Sequence, residues 1–214
     1  NGFFIKGIAA DDFSGVSVSS AGDVNGDGFD DLIIGASVAD PNGNSNAGES
    51  YVVFGKSGGF DPSLNLSSLV GSNGFVVNGI DADDFSGFSV SSAGDVNGDG
   101  FDDLIIGANR ADPNGNSDAG ESYVVFGQGG GFASSLNLSA LDSGNIFVLN
   151  GINSNNFSGF SVSGAGDVND DGFDDIIIGA IGANNTGQSY VIFGSDFFVT
   201  PGNDDRTLNA NNNT

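Results

Sequence analysis

The 214-residue chain is strongly acidic: 28 Asp and Glu residues stand against 4 Lys and Arg residues, and the formal net charge is −24. So little positive charge argues against binding to nucleic acid or to an anionic membrane surface, whereas divalent cations suit this much carboxylate. No apolar run is long enough for insertion into a membrane. Because Cys and His are absent, the sequence excludes disulfides, thiolate or imidazole metal sites and a histidine general base. The chain also lacks Met, as expected of a mature or excised segment.

The chain is predicted to consist of repeats. The motif Phe-Ser-Gly begins at Phe13, Phe85 and Phe157, so its copies lie 72 residues apart. A fixed period of this length indicates a repeated structural unit, and the three Phe residues are therefore expected to belong to its core. We predict one domain, residues 1–200, followed by an Asn- and Asp-rich tail or linker at 201–214. The repeats within that domain are placed at about 1–71, 72–143 and 144–200.

Each unit contains short runs of β-branched and aromatic residues separated by Gly, Asn, Asp and Ser, a pattern typical of strands and turns. Grouped as blades, the strands of the first blade are predicted near 14–21, 32–36, 50–54 and 75–78, and the second blade repeats them one period later. The third blade has three strands, at 158–165, 176–180 and 189–193. Its fourth strand is either 197–200 or residues 3–6 of another chain. Four strands make one β-propeller blade, whereas a β-solenoid, the alternative, usually repeats over fewer residues.

A nine-residue acidic string lies between the first two predicted strands of every unit, and its first copy is residues 23–31. It has oxygen-bearing side chains at positions 1, 3 and 5, and a carboxylate at position 9. Position 6 is Gly in all three copies, whereas the Gly at position 4 of the first two copies is replaced by Asp170 in the third. Calcium takes about six to eight oxygen ligands, so we predict three calcium sites that use these side chains and the position-7 carbonyl. The predicted ligands are Asp23, Asn25, Asp27, Phe29 and Asp31; Asp95, Asn97, Asp99, Phe101 and Asp103; and Asp167, Asn169, Asp171, Phe173 and Asp175.

Other interpretations of the acidic string were weighed. A helical EF-hand or dockerin loop needs a carboxylate at position 12, but that position is Ile34, Ile106 or Ile178. The string could also form acidic hairpin turns that bind nothing, since Asp-Gly and Asn-Gly are common in turns. Three copies with every ligand position filled favour calcium, and magnesium fits less well because it prefers a tight octahedron that keeps its waters. The position-8 residues are expected to be solvated: Asp30, Asp102 and Asp174.

These motifs resemble the FG-GAP repeats of integrin α-chain β-propellers. Phe-Ser-Gly corresponds to the Phe-Gly pair of that family. The Gly-Ala-Pro triplet corresponds to a Gly-Ala pair without its proline, at Gly35, Gly107 and Gly179. The resemblance implies an all-β fold, a β-propeller-like array of three four-stranded FG-GAP blades. This array is incomplete as a ring within one chain, because the family usually closes more blades. It also implies calcium in the hairpin between the first two strands, and an extracellular, secreted or cell-surface location.

We therefore expect a calcium-stabilised extracellular structural or adhesive module that is not an enzyme. Its open terminal blade edges are expected either to join copies into a ring or filament by strand donation, or to meet neighbouring repeats of a longer chain. Two alternatives remain open. One is a receptor-like module that recognises a glycan or protein through its blade-connecting loops, and the other is a non-catalytic accessory domain of a larger secreted protein.

Overall fold

A computed structural model describes residues 2–140, 144–195 and 205–207. The fold is all-β, and no helix of this described part is long and apolar enough to cross a membrane. The first six strands are β1 (Phe4–Lys6), β2 (Ser17–Gly22), β3 (Asp31–Ala36), β4 (Glu49–Val53), β5 (Ser63–Asn65) and β6 (Gly74–Asn78).

The next five strands repeat the order of β2 to β6, and these are β7 (Ser86–Gly94), β8 (Asp103–Ala108), β9 (Glu121–Val125), β10 (Ser135–Asn137) and β11 (Ile146–Asn150). The third unit contributes β12 (Ser158–Gly166), β13 (Asp175–Ala180) and β14 (Gln188–Ile192), and β15 (Asp205–Thr207) follows in the tail. The predicted strands are confirmed to within a few residues. The predicted strand 197–200 and most of the predicted tail lie outside the described residues.

Three blades follow one another along the chain. The antiparallel strands β2, β3, β4 and β6 form the first blade, and β7, β8, β9 and β11 form the second. The third blade consists of β12, β13 and β14 within the described residues. The sheets of this part of the chain do not close on one another, which is the incomplete propeller-like array that the sequence predicts.

Sequence reasoning missed a fifth strand at the outer edge of each complete blade. In the first blade this strand comes from the segment between the third and fourth strands of the next blade. There β10 runs parallel to β6, with Ser135 opposite Val76. The pair β1 and β5 has the same parallel arrangement in a separate two-stranded sheet. In the tail, β15 takes the corresponding place beside β11, so part of the predicted linker is a strand. The segments that contain β5 and β10 gave no strand signal because each contributes only three residues.

The hydrophobic core lies between the blades. Ile33, Val52 and Phe54 of the first blade pack with Val90 and Leu104 of the second in one buried cluster. A second cluster joins Ile105, Val124 and Phe126 of the second blade to Val162 and Ile176 of the third. Since a middle blade is covered on both faces, its inner strands are apolar without alternation, as in the run Leu104-Ile-Ile.

The repeated phenylalanines are an exception, and the prediction that they belong to the core is wrong. Phe13 is 63 % exposed. Phe85 and Phe157 are half-buried. All three adopt left-handed backbone conformations, with φ of 54°, 58° and 52°, which is uncommon for a bulky residue. They therefore belong to a turn at the margin of the blade.

The repeated glycines of the Ile-Gly-Ala and Phe-Ser-Gly motifs lie in contact across neighbouring blades. A Cβ atom added to Gly35 would lie 2.0 Å from the carbonyl oxygen of Gly87, and one added to Gly107 would lie 2.1 Å from that of Gly159. Because the glycine of Ile-Gly-Ala in one blade has no side chain, the Phe-Ser-Gly backbone of the next blade can pack directly against it. Gly179 has no such neighbour among the described residues, and its nearest contact would be the Ser161 Cβ atom at 3.6 Å.

This difference predicts unequal effects of the same substitution. Gly107→Ala should lower the free energy of unfolding by about 1–3 kcal/mol, because the added methyl group forces the two blades apart. Gly179→Ala, the matched control in the third repeat, should be neutral or slightly stabilising in monomeric protein. Chemical denaturation of samples shown to be monomeric by light scattering measures both. Equal losses in the two variants would show that blade contact is not what requires glycine.

Candidate calcium loops

The three acidic strings form the turns between the two innermost strands of each blade, as predicted. In the first loop Asp23 curls the chain around its carboxylate, since its oxygens accept the backbone N–H groups of Asp27 at 3.0 Å and Gly28 at 2.8 Å. Asn25 Oδ1 accepts the Asp27 N–H at 2.8 Å, and Asp27 Oδ1 accepts the Phe29 N–H at 3.0 Å. The equivalent bonds in the other two loops measure 2.9–3.1 Å.

The sharp turn of each loop has left-handed residues at positions 4 and 6, and position 6 is Gly in all three loops. At position 4, Gly26 and Gly98 have φ of 72° and 75°, which glycine adopts without steric cost. Asp170 keeps this conformation in the third loop, with φ of 61°. Asp is one of the few other residues that enter this region at modest cost, so the replacement preserves the loop.

The position-9 carboxylates tie each loop to the blade. Asp31, Asp103 and Asp175 are fully buried. Asp31 Oδ2 accepts the Val24 N–H of its own loop at 3.2 Å, and Asp31 Oδ1 accepts the Gly55 N–H beyond β4 at 2.8 Å. Both bonds recur in the other blades. Sequence reasoning did not anticipate this second role, because the Gly donors lie 19 to 24 residues downstream.

Burial makes the Asp31 and Asp103 carboxylates difficult to ionise. Desolvation raises the pKa of Asp31 to about 6 and that of Asp103 to about 8, although the two backbone N–H donors act in the opposite direction. The nearby Asp27 and Asp99 carboxylates raise these pKa values further. In contrast, the backbone N–H of Gly172 lowers the pKa of the exposed position-1 residue Asp167. The first two loops thus combine one buried acid of raised pKa with two more accessible acids.

The donor chemistry of the loops fits calcium. Every predicted ligand supplies oxygen, and an ionised carboxylate has about four acceptor sites, so Asp23 retains acceptor capacity beyond its two N–H bonds. In the described residues no three acidic side chains form a ready-made cluster for a metal ion. The loops are closed by their own backbone N–H groups, and the predicted ligand set stays a prediction.

Three segments of the chain match the model of the FG-GAP repeat, at residues 14–53, 86–125 and 158–192. Together they cover more than half of the chain, and each spans one acidic loop with its two flanking strands. The chain belongs to the FG-GAP repeat family.

The FG-GAP chain is also similar to several integrin α-chains. It is 31% identical to integrin alpha-5 of Xenopus laevis over 182 residues, which are 81% of this chain and 15% of that protein. It is 31% identical to integrin alpha-IIb of Homo sapiens over 166 residues, or 76% of this chain and 14% of that protein. Integrin alpha ina-1 of Caenorhabditis elegans is 30% identical over 193 residues, 85% of this chain and 16% of that protein. The FG-GAP chain thus spans about one seventh of the length of these relatives.

The position-8 residues of the FG-GAP loops correct the expectation that they are solvated. Asp102 Oδ2 accepts the backbone N–H of Asp23 in the preceding loop at 2.7 Å, and Asp174 Oδ2 accepts that of Asp95 at 3.0 Å. Both side chains are half-buried, whereas Asp30 is exposed because no blade precedes it in the structure. Position 8 therefore connects one acidic loop to the next. The sequence signal was the invariance of this Asp across three copies.

Position 7 adds apolar contact between the same loops. A Cβ atom on Gly26 would lie 2.5 Å from Cε1 of Phe101, and one on Gly98 would lie 2.6 Å from Cε1 of Phe173. Each Phe ring therefore rests against the position-4 residue of the preceding loop. The side chain and the predicted carbonyl ligand of this residue thus have separate roles.

The link between loops can be tested with a matched pair. Asp102→Ala should lower the free energy of unfolding by about 1–3 kcal/mol, because the Asp23 N–H loses a charged acceptor. Asp30→Ala removes the same carboxylate where no loop precedes, and should change stability by less than about 0.5 kcal/mol in monomeric protein. Denaturant titration in calcium compares the two, and similar losses would contradict the inter-loop role of position 8.

A second polar feature is a cavity of about 370 Å³ between the loops that connect the strands of the second FG-GAP repeat. Four carboxylates line it, those of Asp81, Asp84, Asp112 and Glu121. Burial, followed by the charge of Glu121, raises the pKa of Asp84 to about 7. The hydroxyl of Tyr123 donates to Glu121. In the third repeat the matching pair is neutral, since Tyr190 donates to Gln188 at 2.9 Å.

Proposed function

We propose that this chain is a calcium-stabilised, non-catalytic structural or adhesive module of an extracellular protein. The observation that carries the proposal is the threefold acidic loop, in which oxygen donors surround one turn and a buried Asp ties that turn to the blade. The ions would be held by the side chains of positions 1, 3, 5 and 9 and the carbonyl of position 7, one ion in each repeat.

A calcium ion would supply positive charge and oxygen coordination at each turn. The chain's own contribution, as in the second loop, is to hold the Asp95 and Asp99 charges near enough to Asp103 to raise its pKa, a repulsion that a cation would relieve. Three ions would change the net charge from −24 to −18. Ligands that bind only the folded state stabilise it, so calcium is proposed to be structural first.

The extracellular and adhesive part of the proposal is supported by the similarity to integrin α-chains, which covers a small share of those proteins. The non-catalytic part is supported by the absence of His and Cys from the sequence. The near-identity of the first two units favours use as a scaffold, because a specific pocket needs differentiated loops. Within the described residues no strand lies beyond β14, and this edge, together with β1, supports self-association or contact with neighbouring repeats.

A second candidate function is ligand recognition at the acidic cavity of the second repeat. Its carboxylates and the Tyr123–Glu121 pair offer acceptors for the hydroxyl groups of a glycan or the amines of a protein. Glu121→Gln, which gives this site the neutral character of the third repeat, should abolish such binding and leave calcium stabilisation intact. The same module could serve as an accessory domain of a larger secreted protein.

Calcium binding is tested by titration calorimetry and thermal unfolding. We expect about three ions per chain and a rise in the melting temperature that excess chelator reverses. Asp99→Asn should weaken one of the three sites and raise stability in chelator, because it removes one of three mutually repelling charges.

Asp61→Asn, which removes an exposed charge outside the loops, is the control and should preserve all three sites. A melting temperature that does not respond to calcium or chelator would rule out the structural role.

The dependence of stability on pH provides an independent test. The pKa values of Asp31, Asp84 and Asp103 are raised from 3.8 to about 6, 7 and 8 by burial, so the folded chain holds more protons than the unfolded chain between these limits. In chelator, the free energy of unfolding should therefore fall as the pH rises from about 4 to 8.

Saturating calcium should oppose this fall, because the ion competes with protons for Asp31 and Asp103. Denaturant titrations at several pH values measure both slopes. A stability that increases with pH in chelator would contradict the assignment of raised pKa values to these acids.

A further inference from the structure

The two ends of the blade array carry apolar surfaces that match each other. The leading face of the first blade consists of Phe13, Val18, Phe29 and Leu32, and the trailing face of the third blade consists of Val168, Ile177, Val191 and Phe193; all are exposed. Large exposed apolar patches mark interaction sites. What these two faces bind can be inferred from their counterparts inside the chain.

Most of these exposed residues have repeat equivalents that are buried between blades, and the equivalents of Phe13 and Phe29 are half-buried. Val18 is 66% exposed, whereas its equivalents Val90 and Val162 are 4% and 6% exposed. On the other face, Val191 is 46% exposed, whereas its equivalents Val52 and Val124 are fully buried. The leading face is therefore the surface that the second and third blades press against their predecessors. The trailing face is the surface that receives them.

The hydrogen bonds between neighbouring blades also form a repeating series, and the two ends of the array carry the groups that would continue it. Ser17 Oγ accepts the Val90 N–H at 3.0 Å, and Ser89 Oγ accepts the Val162 N–H at 3.0 Å. The next acceptor in this series is Ser161 in the third blade, which is exposed, and the matching donor is the Val18 N–H. At the loops, Asp30 is the counterpart of Asp102 and Asp174, and the Asp167 N–H is the group that it would reach.

The strand order completes the match. The third blade has no fourth strand among the described residues, where the earlier blades have β6 and β11. The two-stranded sheet of β1 and β5 has the parallel geometry of the β6–β10 pair but no antiparallel blade strands beside it within the described part of the chain. Placed against β14, β1 would be the missing fourth strand and β5 the fifth.

We propose that two copies of this chain join head to tail in both directions and close one six-bladed ring. The leading face of each copy packs on the trailing face of the other, and β1 of each completes the third blade of the other. Propellers have about four to eight blades, and six is the only multiple of three in that range, so two copies close where three do not. This inference rests on the self-association in the proposed function and names its partner, surfaces and stoichiometry.

Charge sets the condition for closure. Two copies with a net charge of −24 each repel one another, and bound calcium and salt reduce this repulsion. The ring is therefore expected in calcium at about 0.15 M ionic strength, and its dissociation constant should rise in chelator.

Light scattering across a concentration series tests the ring with single substitutions on each face. The unchanged chain in calcium should have twice the mass of one copy. Val18→Asp and Val191→Asp should each raise the dissociation constant at least about tenfold, because each inserts a charge into an apolar contact. Val70→Asp is the matched control, since Val70 is 65% exposed but lies on neither face, and it should leave the dimer unchanged.

Mixing the two face variants distinguishes the head-to-tail arrangement from other dimers. An equimolar mixture of Val18→Asp and Val191→Asp contains one intact contact per pair, so dimers should reappear. Gly179→Ala offers a gentler change: it fits the isolated chain, but the added methyl group should meet the partner's Phe-Ser-Gly backbone and weaken the dimer. A monomeric unchanged chain, a mixture that stays monomeric beside a dimeric unchanged chain, or masses that extend beyond the dimer would each overturn the proposal.

The calcium role is read separately, from the melting temperature of the monomeric Val18→Asp variant with calcium and with chelator. If the unchanged chain and the variant are both monomeric and both stabilised by calcium, the ring is contradicted and the proposed calcium role stands. If the unchanged chain is dimeric but calcium does not change the melting temperature of the variant, the calcium role is contradicted and the ring stands.

Discussion

The close approach of neighbouring blades is the constraint on which this structure depends. The backbone of one blade lies against the Ile-Gly-Ala glycine of the blade before it, and a single added methyl group at Gly35 or Gly107 would overlap a carbonyl oxygen. This approach allows the apolar side chains of both blades to form one buried cluster. It also brings the acidic loops near enough for position 8 of one loop to accept a backbone N–H from its neighbour. Core packing and loop arrangement therefore share one geometric requirement.

The acidic loops show how a destabilising feature can be kept in a fold. A buried carboxylate without a cation favours its protonated form, as the raised pKa values of Asp31 and Asp103 indicate. The same carboxylates hold their loops to the end of the third strand through two backbone N–H groups. Replacing them by apolar residues would remove the electrostatic penalty, but it would also leave those N–H groups without acceptors. The arrangement is consistent with a site whose full stability requires a bound cation.

Much of the fold could be predicted from the sequence, because exact repetition makes a weak local signal readable three times. The four antiparallel strands, the hairpin position of the loops and the unclosed array all followed from it. Contacts that depend on a neighbouring blade could not be predicted. Asp102 and Phe101 look like ordinary loop residues until the preceding loop is placed beside them. The three-residue strands β5 and β10 carry too little periodicity to be detected. The exposed Phe13 shows the opposite error, in which repetition was taken as a sign of burial.

The fifth strand of each blade has a consequence for how the chain folds. Because β10 lies between two strands of the second blade, β9 and β11, the outer edge of the first blade is completed by residues synthesised 59 positions later, as in the pairing of Val76 with Ser135. Successive blades therefore share strands, and no boundary in the sequence separates two structurally complete blades. During synthesis from the N-terminus, the outer edge of the first blade would stay unpaired until the segment that contains β10 has been synthesised. Such long-range pairing slows folding and makes the order of synthesis part of the order of assembly.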